Sequence, residues 1–296
     1  MTQLPKDLDE SIAQARESTQ AALKDGKTRI MVELVFPELK QMPIAWDFLP
    51  ALTSIYGAGL KVFFPDTGAA ALARRDWKLA EFTITDLGNG KTPLEPKVQP
   101  EDEAFLLIEP SSVEVLIVEE LCQLAGDRPC ILFNPKLEDV SIVGIGYAAR
   151  QLRDRFISTL EPYYYLRPLD DFALLRAYPN QWQVWQLITE TTSNPTSNPT
   201  SDPISDTAKV GNIASVQDSL EQSLQTGLED GNSGNSTWQM IAELPEKPVG
   251  DVLDRIMMGG GNNQASDDPE APIKNSGGKS PGLMANLQRF LRALSS

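Results

Sequence analysis

Five polar side chains follow apolar runs at positions where layered α/β proteins do their chemistry: Glu38, Asp66, Glu109, Asn134 and Asp139. Clustered carboxylates can hold a hard cation, and a carboxyl whose pKa is raised by its neighbours can act as an acid. Acidic residues beside helix starts also cap helices and complement their dipoles, so both readings stand. The chain contains no histidine. A Ser-His-Asp or Cys-His relay and an imidazole base are thereby excluded, which leaves carboxylate, lysine or cysteine chemistry. No glycine-rich stretch ends in Gly-Lys-Ser/Thr, and this disfavours phosphoryl transfer by a P-loop. No cofactor is expected, and no metal either, because Cys122 and Cys130 are too few for a zinc site. They read as a pair of reduced thiols near the core.

Two weaker constellations complete the set. Gly144-Ile145-Gly146-Tyr147-Ala148-Ala149 has the glycine spacing of a dinucleotide fingerprint, but it falls late in the chain. Glycines that let the chain turn tightly into a helix account for it as well. Arg150, Arg153 and Arg155, followed by Tyr163, Tyr164 and Tyr165, offer either a docking patch or a solvated helix face with core tyrosines.

The elements that must position these groups are announced by proline. Val35-Phe36-Pro37-Glu38, Phe63-Phe64-Pro65-Asp66, Ile108-Glu109-Pro110-Ser111 and Phe133-Asn134-Pro135-Lys136 each run an apolar strand into proline and then toward a helix. Proline has no N–H for the ladder and fixes φ, so it stops strands and can open helices. The alternation predicts an α/β fold: a mostly parallel sheet with helices on both faces, its four prolines along the carboxyl edge where open sheets bind ligands. Helices are expected at 7–25, 44–56, 69–75, 113–124 and 147–159, and strands at 29–36, 60–64, 81–86, 104–108 and 130–133, with 88–100 a surface loop. Short strands at 163–167, 172–178 and 182–188 predict an antiparallel hairpin that finishes the sheet.

The chain is 296 residues long, enough for one large core. We expect a single α/β domain over 7–257, interrupted at 190–236 by a disordered insert rich in Ser, Thr, Asn and Pro. A flexible linker at 259–279 and an amphipathic helix at 280–296 are expected to follow. In that helix Leu283, Met284, Leu287, Phe290, Leu291 and Leu294 form one apolar stripe, with Arg289 and Arg292 on other faces. Such a helix docks on its own domain, in a partner groove, or weakly at a membrane surface. The net charge of −15, from 26 Lys+Arg against 41 Asp+Glu, argues against nucleic acid as a partner. Without a signal-like start or a run of about 20 apolar residues, a cytoplasmic protein is expected.

The segments Val35-Phe36-Pro37, Val62-Phe63-Phe64-Pro65-Asp66, the run from Ile131 to Asp139, Gly146 to Arg150, and Tyr164 through Trp182 carry a resemblance. Together they resemble a cyanobacterial and chloroplast domain family of unknown function. It includes the plant low-photosystem-II-accumulation assembly factor and the C-terminal domain of a chloroplast adenylate kinase. The resemblance implies an auxiliary role in building photosynthetic membrane complexes, at the cytoplasmic or stromal face of the thylakoid. The implied partner is a photosystem assembly subunit or another membrane-associated protein. It implies neither kinase activity nor catalytic residues. A non-enzymatic protein-binding role is therefore expected, and the alternative is a small-molecule or nucleotide-binding enzyme that uses the strand edge.

Overall fold

The computed structural model describes residues 3–36, 39–78, 80–137, 147–189 and 236–259. The chain divides into Met1–Leu187 with Trp238–Ser296, and a separate unit Ile188–Thr237 that lies almost wholly outside the described residues. The chain runs α1 (Leu8–Lys24), β1 (Arg29–Leu34), α2 (Gln41–Phe48), α3 (Pro50–Tyr56), β2 (Leu60–Phe64), α4 (Thr67–Asp76) and β3 (Thr83–Asp86). After these come β4 (Ala104–Ile108), α5 (Val115–Ala125), β5 (Cys130–Phe133), α6 (Tyr147–Arg155) and β6 (Glu161–Leu169). The described elements continue with β7 (Phe172–Ala177), β8 (Trp182–Thr189), β9 (Ser236–Leu244) and α7 (Asp251–Met257).

The strands form one sheet in the order β3-β2-β4-β5-β1-β6-β7-β8-β9. Pairing is parallel from β3 through β6 and antiparallel from β6 to β7 and β7 to β8, so the fold is the expected α/β sheet finished by a hairpin. Strands β2, β4 and β5 are buried along their whole length, the signature of a sheet covered on both faces. Alternate residues sort to the two sides. Val62, Leu106, Ile131 and Phe133 pack with α1 to α4, whereas Phe63, Phe105, Leu107 and Leu132 pack with α5 and α6. A third cluster of Tyr165, Leu174, Trp182 and Val184 is covered by Leu253 and Ile256 of α7.

Helix α1 opens on the Asp7 side chain, which accepts from the Glu10 N–H at 2.8 Å, and it closes before Gly26, whose φ of 73° suits glycine. Its buried Ile12, Ala15, Thr19 and Ala22 are the face that the periodicity predicts. The single helix expected at 44–56 is two helices. Pro50 has no N–H to continue α2 and instead starts α3 at its first turn. Likewise α6 stops at Arg155 and a 3-10 turn, Ile157–Thr159, follows. There Ser158 and Thr159 hydroxyls donate to the carbonyls of Asp154 and Phe156, competing with continuation of the helix. The 88–100 loop is pinned, because Leu94 is buried and Lys97 donates to the Asp86 carbonyl and carboxylate. The insert expected at 190–236 falls outside the described residues save for Ser236, which begins β9.

One topological feature positions a site. From β1 the chain enters α2 and α3 on the first face and passes to β2, beyond β5 and β4. From β5 the chain reaches α6 on the second face and arrives at β6, on the other side of β1. Neighbouring β1 and β5 therefore send their chains in opposite directions, and a crevice opens between their carboxyl ends.

Candidate functional site

A depression of about 330 Å³ occupies that switch point, lined among others by Glu33, Leu34, Gln41, Glu109, Asn134 and Lys136. Asn134 is its hub. The side-chain Oδ1 accepts from the buried Leu34 N–H at 2.6 Å, and Nδ2 donates to Gln41 Oε1 at 2.6 Å. The Asn134 backbone N–H donates to the Val32 carbonyl at 2.7 Å, so one residue ties the end of β5 to β1 and to the start of α2. Its φ of 48° is left-handed, a conformation that asparagine adopts more readily than other non-glycine residues.

Glu109, at the end of β4, is also left-handed, with φ of 51°. Its N–H donates to the Phe133 carbonyl at 2.8 Å, and its carboxylate pairs with the Lys136 ammonium at 2.5 Å. Beyond it the Lys136 N–H donates to the Pro110 carbonyl at 2.7 Å, and Ser111 bridges to Lys136 in parallel. The loop into α5 is fixed in turn by Glu114, whose carboxylate accepts from the Ser111 N–H at 2.9 Å and hydroxyl at 2.6 Å. The strand ends are thus stitched to one another by groups that satisfy each other locally.

Of the five residues expected at the strand edge, the structure brings Glu109 and Asn134 together in the crevice. Asp66 lies at the end of β2 and caps α4, its Oδ1 accepting from the Ala69 N–H at 2.9 Å. Glu38 and Asp139 lie outside the described residues, as do Gly144 and Gly146 of the glycine motif and the whole stripe from Leu283 to Leu294. Sequence reasoning passed over Gln41 and Lys136. Lys136 follows the Asn134-Pro135 stop directly and was open to notice, whereas nothing local marks Gln41.

Chemically, the Lys136 amine of the crevice is held as an ammonium partner of the Glu109 carboxylate, and the Asn134 amide is engaged with Leu34 and Gln41. The cysteines are free, buried and remote from it in sequence role, since Cys122 belongs to α5 and Cys130 begins β5 at its other end. The hydrogen bond to Cys122 and burial hold the Cys130 thiol well above its ordinary pKa, which suppresses the thiolate of Cys130.

Of the basic run, Arg155 forms two hydrogen bonds to Glu119, at 2.7 and 2.8 Å, joining α6 to α5. The tyrosines that follow are buried. The hydrogen bond from Arg155 holds the Glu119 carboxyl below the ordinary value of 4.5, outweighing its burial. A carboxyl depressed by folding stabilises the fold above its unfolded pKa, and the contribution is lost as pH falls through the folded value. The advantage in Tm of the native chain over Glu119→Gln is therefore expected to be full near pH 7 and to disappear below pH 4.5. Melts across that range check this, and a gap independent of pH would show that the pair does not set it.

A family model described as a domain of unknown function, DUF1995, matches residues 5–205, more than half of the chain. The chain belongs to the DUF1995 family. The match runs from α1 through β8, so the crevice and both helical faces lie within the DUF1995 domain. No solved structure matches the chain. Among the described residues, no helix is long and apolar enough to cross a membrane.

Proposed function

We propose that this DUF1995 chain is a non-enzymatic auxiliary protein that works by binding other proteins, of the type that assists photosystem II assembly at the thylakoid surface. The observation that carries this reading is one group of exposed apolar side chains among several on the surface. Val113 and Leu116, 74% and 59% exposed, stand at the start of α5, and Tyr147, 74% exposed, opens α6. The two helices are neighbours through the Arg155–Glu119 pair, and α6 leads at its far end into the amino end of β6. Apolar side chains left exposed at the starts of two helices offer surface suited to a protein partner. The polar groups of the crevice beside it are already paired with one another, which favours recognition over turnover. The Leu283 to Leu294 stripe serves in this reading as a second contact, with a partner subunit or weakly with the membrane surface.

The test is the double variant Val113→Glu/Leu116→Glu, assayed by co-purification with photosystem II core antenna assembly intermediates from thylakoid membranes. Capture is expected to fall at least about tenfold. Both side chains are exposed, so Tm should stay within about 2 °C. Undiminished capture would overturn the reading.

A second reading, a small-molecule site, is favoured by the position of Glu109, Asn134 and Lys136 at the switch point. Thermal shift with nucleotides, Mg²⁺ and phosphorylated metabolites tests it. A saturable rise in Tm that Lys136→Ala abolishes would move the function to the crevice.

A further inference from the structure

Helix α7 packs Leu253 and Ile256 on the cluster of Tyr165, Leu174, Trp182 and Val184. Other apolar side chains of the same stretch face solvent: Val252 is 48% exposed, Val249 before the helix 63%, and Met258 after it 87%. The Val252 N–H donates to the Val249 carbonyl at 3.3 Å, which sets the two valines one turn apart on a common edge. The exposed carboxylates of Glu246, Asp251 and Asp254 flank that edge, none of them in an ion pair among the described residues. Arg255 is exposed among them, while the Lys247 ammonium lies 4.0 Å from the Tyr165 ring centroid. From Gly259, residues 260–282, 23 in all, lead to the segment 283–294, whose sequence carries the apolar stripe, Arg289 and Arg292, and no carboxylate. A random coil of that length spans roughly 25 Å, so the segment is held beside α7 at an effective concentration of about 1 mM.

We infer that in the free chain the segment 283–294 docks on α7 of its own domain, its apolar stripe on Val249 and Val252 and its arginines toward Asp251 and Asp254. Other exposed apolar groups on the surface lack this combination of acidic neighbours and a tether that starts at the same helix. At about 1 mM effective concentration even a contact with a Kd of about 0.1 mM is roughly 90% occupied. The inference goes beyond the proposed function: a partner or membrane surface that takes the stripe must first draw it off α7.

The experiment is amide hydrogen exchange on the full chain, without partner or lipid, at two protein concentrations, with a synthetic peptide of residues 283–294 as the free reference. Amides of the segment are expected to exchange about tenfold slower in the chain than in the peptide, equally at both concentrations. Val249→Glu/Val252→Glu should return them to the rate of the peptide. Asp251→Lys/Asp254→Lys should reduce the protection severalfold, and adding Arg289→Glu/Arg292→Glu to that variant should restore it. Exchange at the peptide rate in the native chain, or protection that survives the valine substitutions, overturns the inference. Protection that grows with protein concentration also overturns it, since the segment then docks on a second copy. Should the valine variant loosen α7 itself, seen as faster exchange over residues 251–257, the charge exchange decides. With neither partner nor membrane present, the result is separate from that of the capture assay.

Discussion

Asn134→Ala is expected to destabilise the domain by about 3 kcal/mol, and Asn134→Gly by less, a reversal of the usual order of the two substitutions. Removal of the amide leaves the buried Leu34 N–H without its 2.6 Å acceptor and frees the Gln41 side chain that α2 presents to it. An unsatisfied buried donor costs about 1–3 kcal/mol. Alanine also meets a φ of 48°, where a β-carbon costs about 1–2 kcal/mol and glycine nothing. For a domain of this size the alanine variant should melt roughly 10 °C below the native chain. Thermal and urea unfolding of both variants measure the effect. Alanine and glycine variants of equal stability would show that the left-handed turn at the end of β5 costs nothing to impose.

Asp102→Ala is expected to cost about 3–5 kcal/mol, because it leaves an ammonium buried without its counter-charge. Lys61 Nζ lies 2.7 Å from the Asp102 carboxylate, and both side chains are only 7% exposed. The carboxylate also accepts from the Gln99 N–H at 2.7 Å, while Lys61 donates to the Lys97 carbonyl at 3.0 Å. The pair thus anchors the loop between β3 and β4 to a strand that is otherwise apolar throughout. Removing both charges in Lys61→Met/Asp102→Leu should recover most of the loss, since a well-packed apolar pair spares the desolvation of two ions. A double-mutant cycle on urea midpoints and slopes isolates the coupling. If the double variant is as unstable as Asp102→Ala, the cost lies in the loop contacts and not in the charge.

Both predictions rest on groups whose partners are distant in the chain, and this separates what was legible from what was not. The strands over residues 60–64, 104–108 and 130–133 match the expectation residue for residue. Strands buried on both faces need continuous apolar runs, and such runs stop abruptly at the Pro65, Asn134-Pro135 and Glu109-Pro110 boundaries. The interruption at Pro50 was equally visible, but the apolar period continues across it and masks it. Lys61 shows the opposite case. A lysine inside an apolar run reads as an exposed position until Asp102, 41 residues later, is brought beside it.

The candidate site divides in the same way. That polar residues at the ends of β4 and β5 would share an edge followed from the parallel alternation, and Glu109 and Asn134 do share it. That β1 would insert between β5 and β6, so that Leu34 meets Asn134 across 100 residues and Gln41 and Lys136 join the crevice, followed from no local pattern.

By itself, the sequence determined the elements, their parallel sense and the edge at which polar groups collect, because hydrophobic period and proline act over a few residues. Only the tertiary structure decided which strand ends meet and which charges pair. Strand order is selected by the burial of both faces of the whole sheet at once, a sum over contacts that no single segment contains.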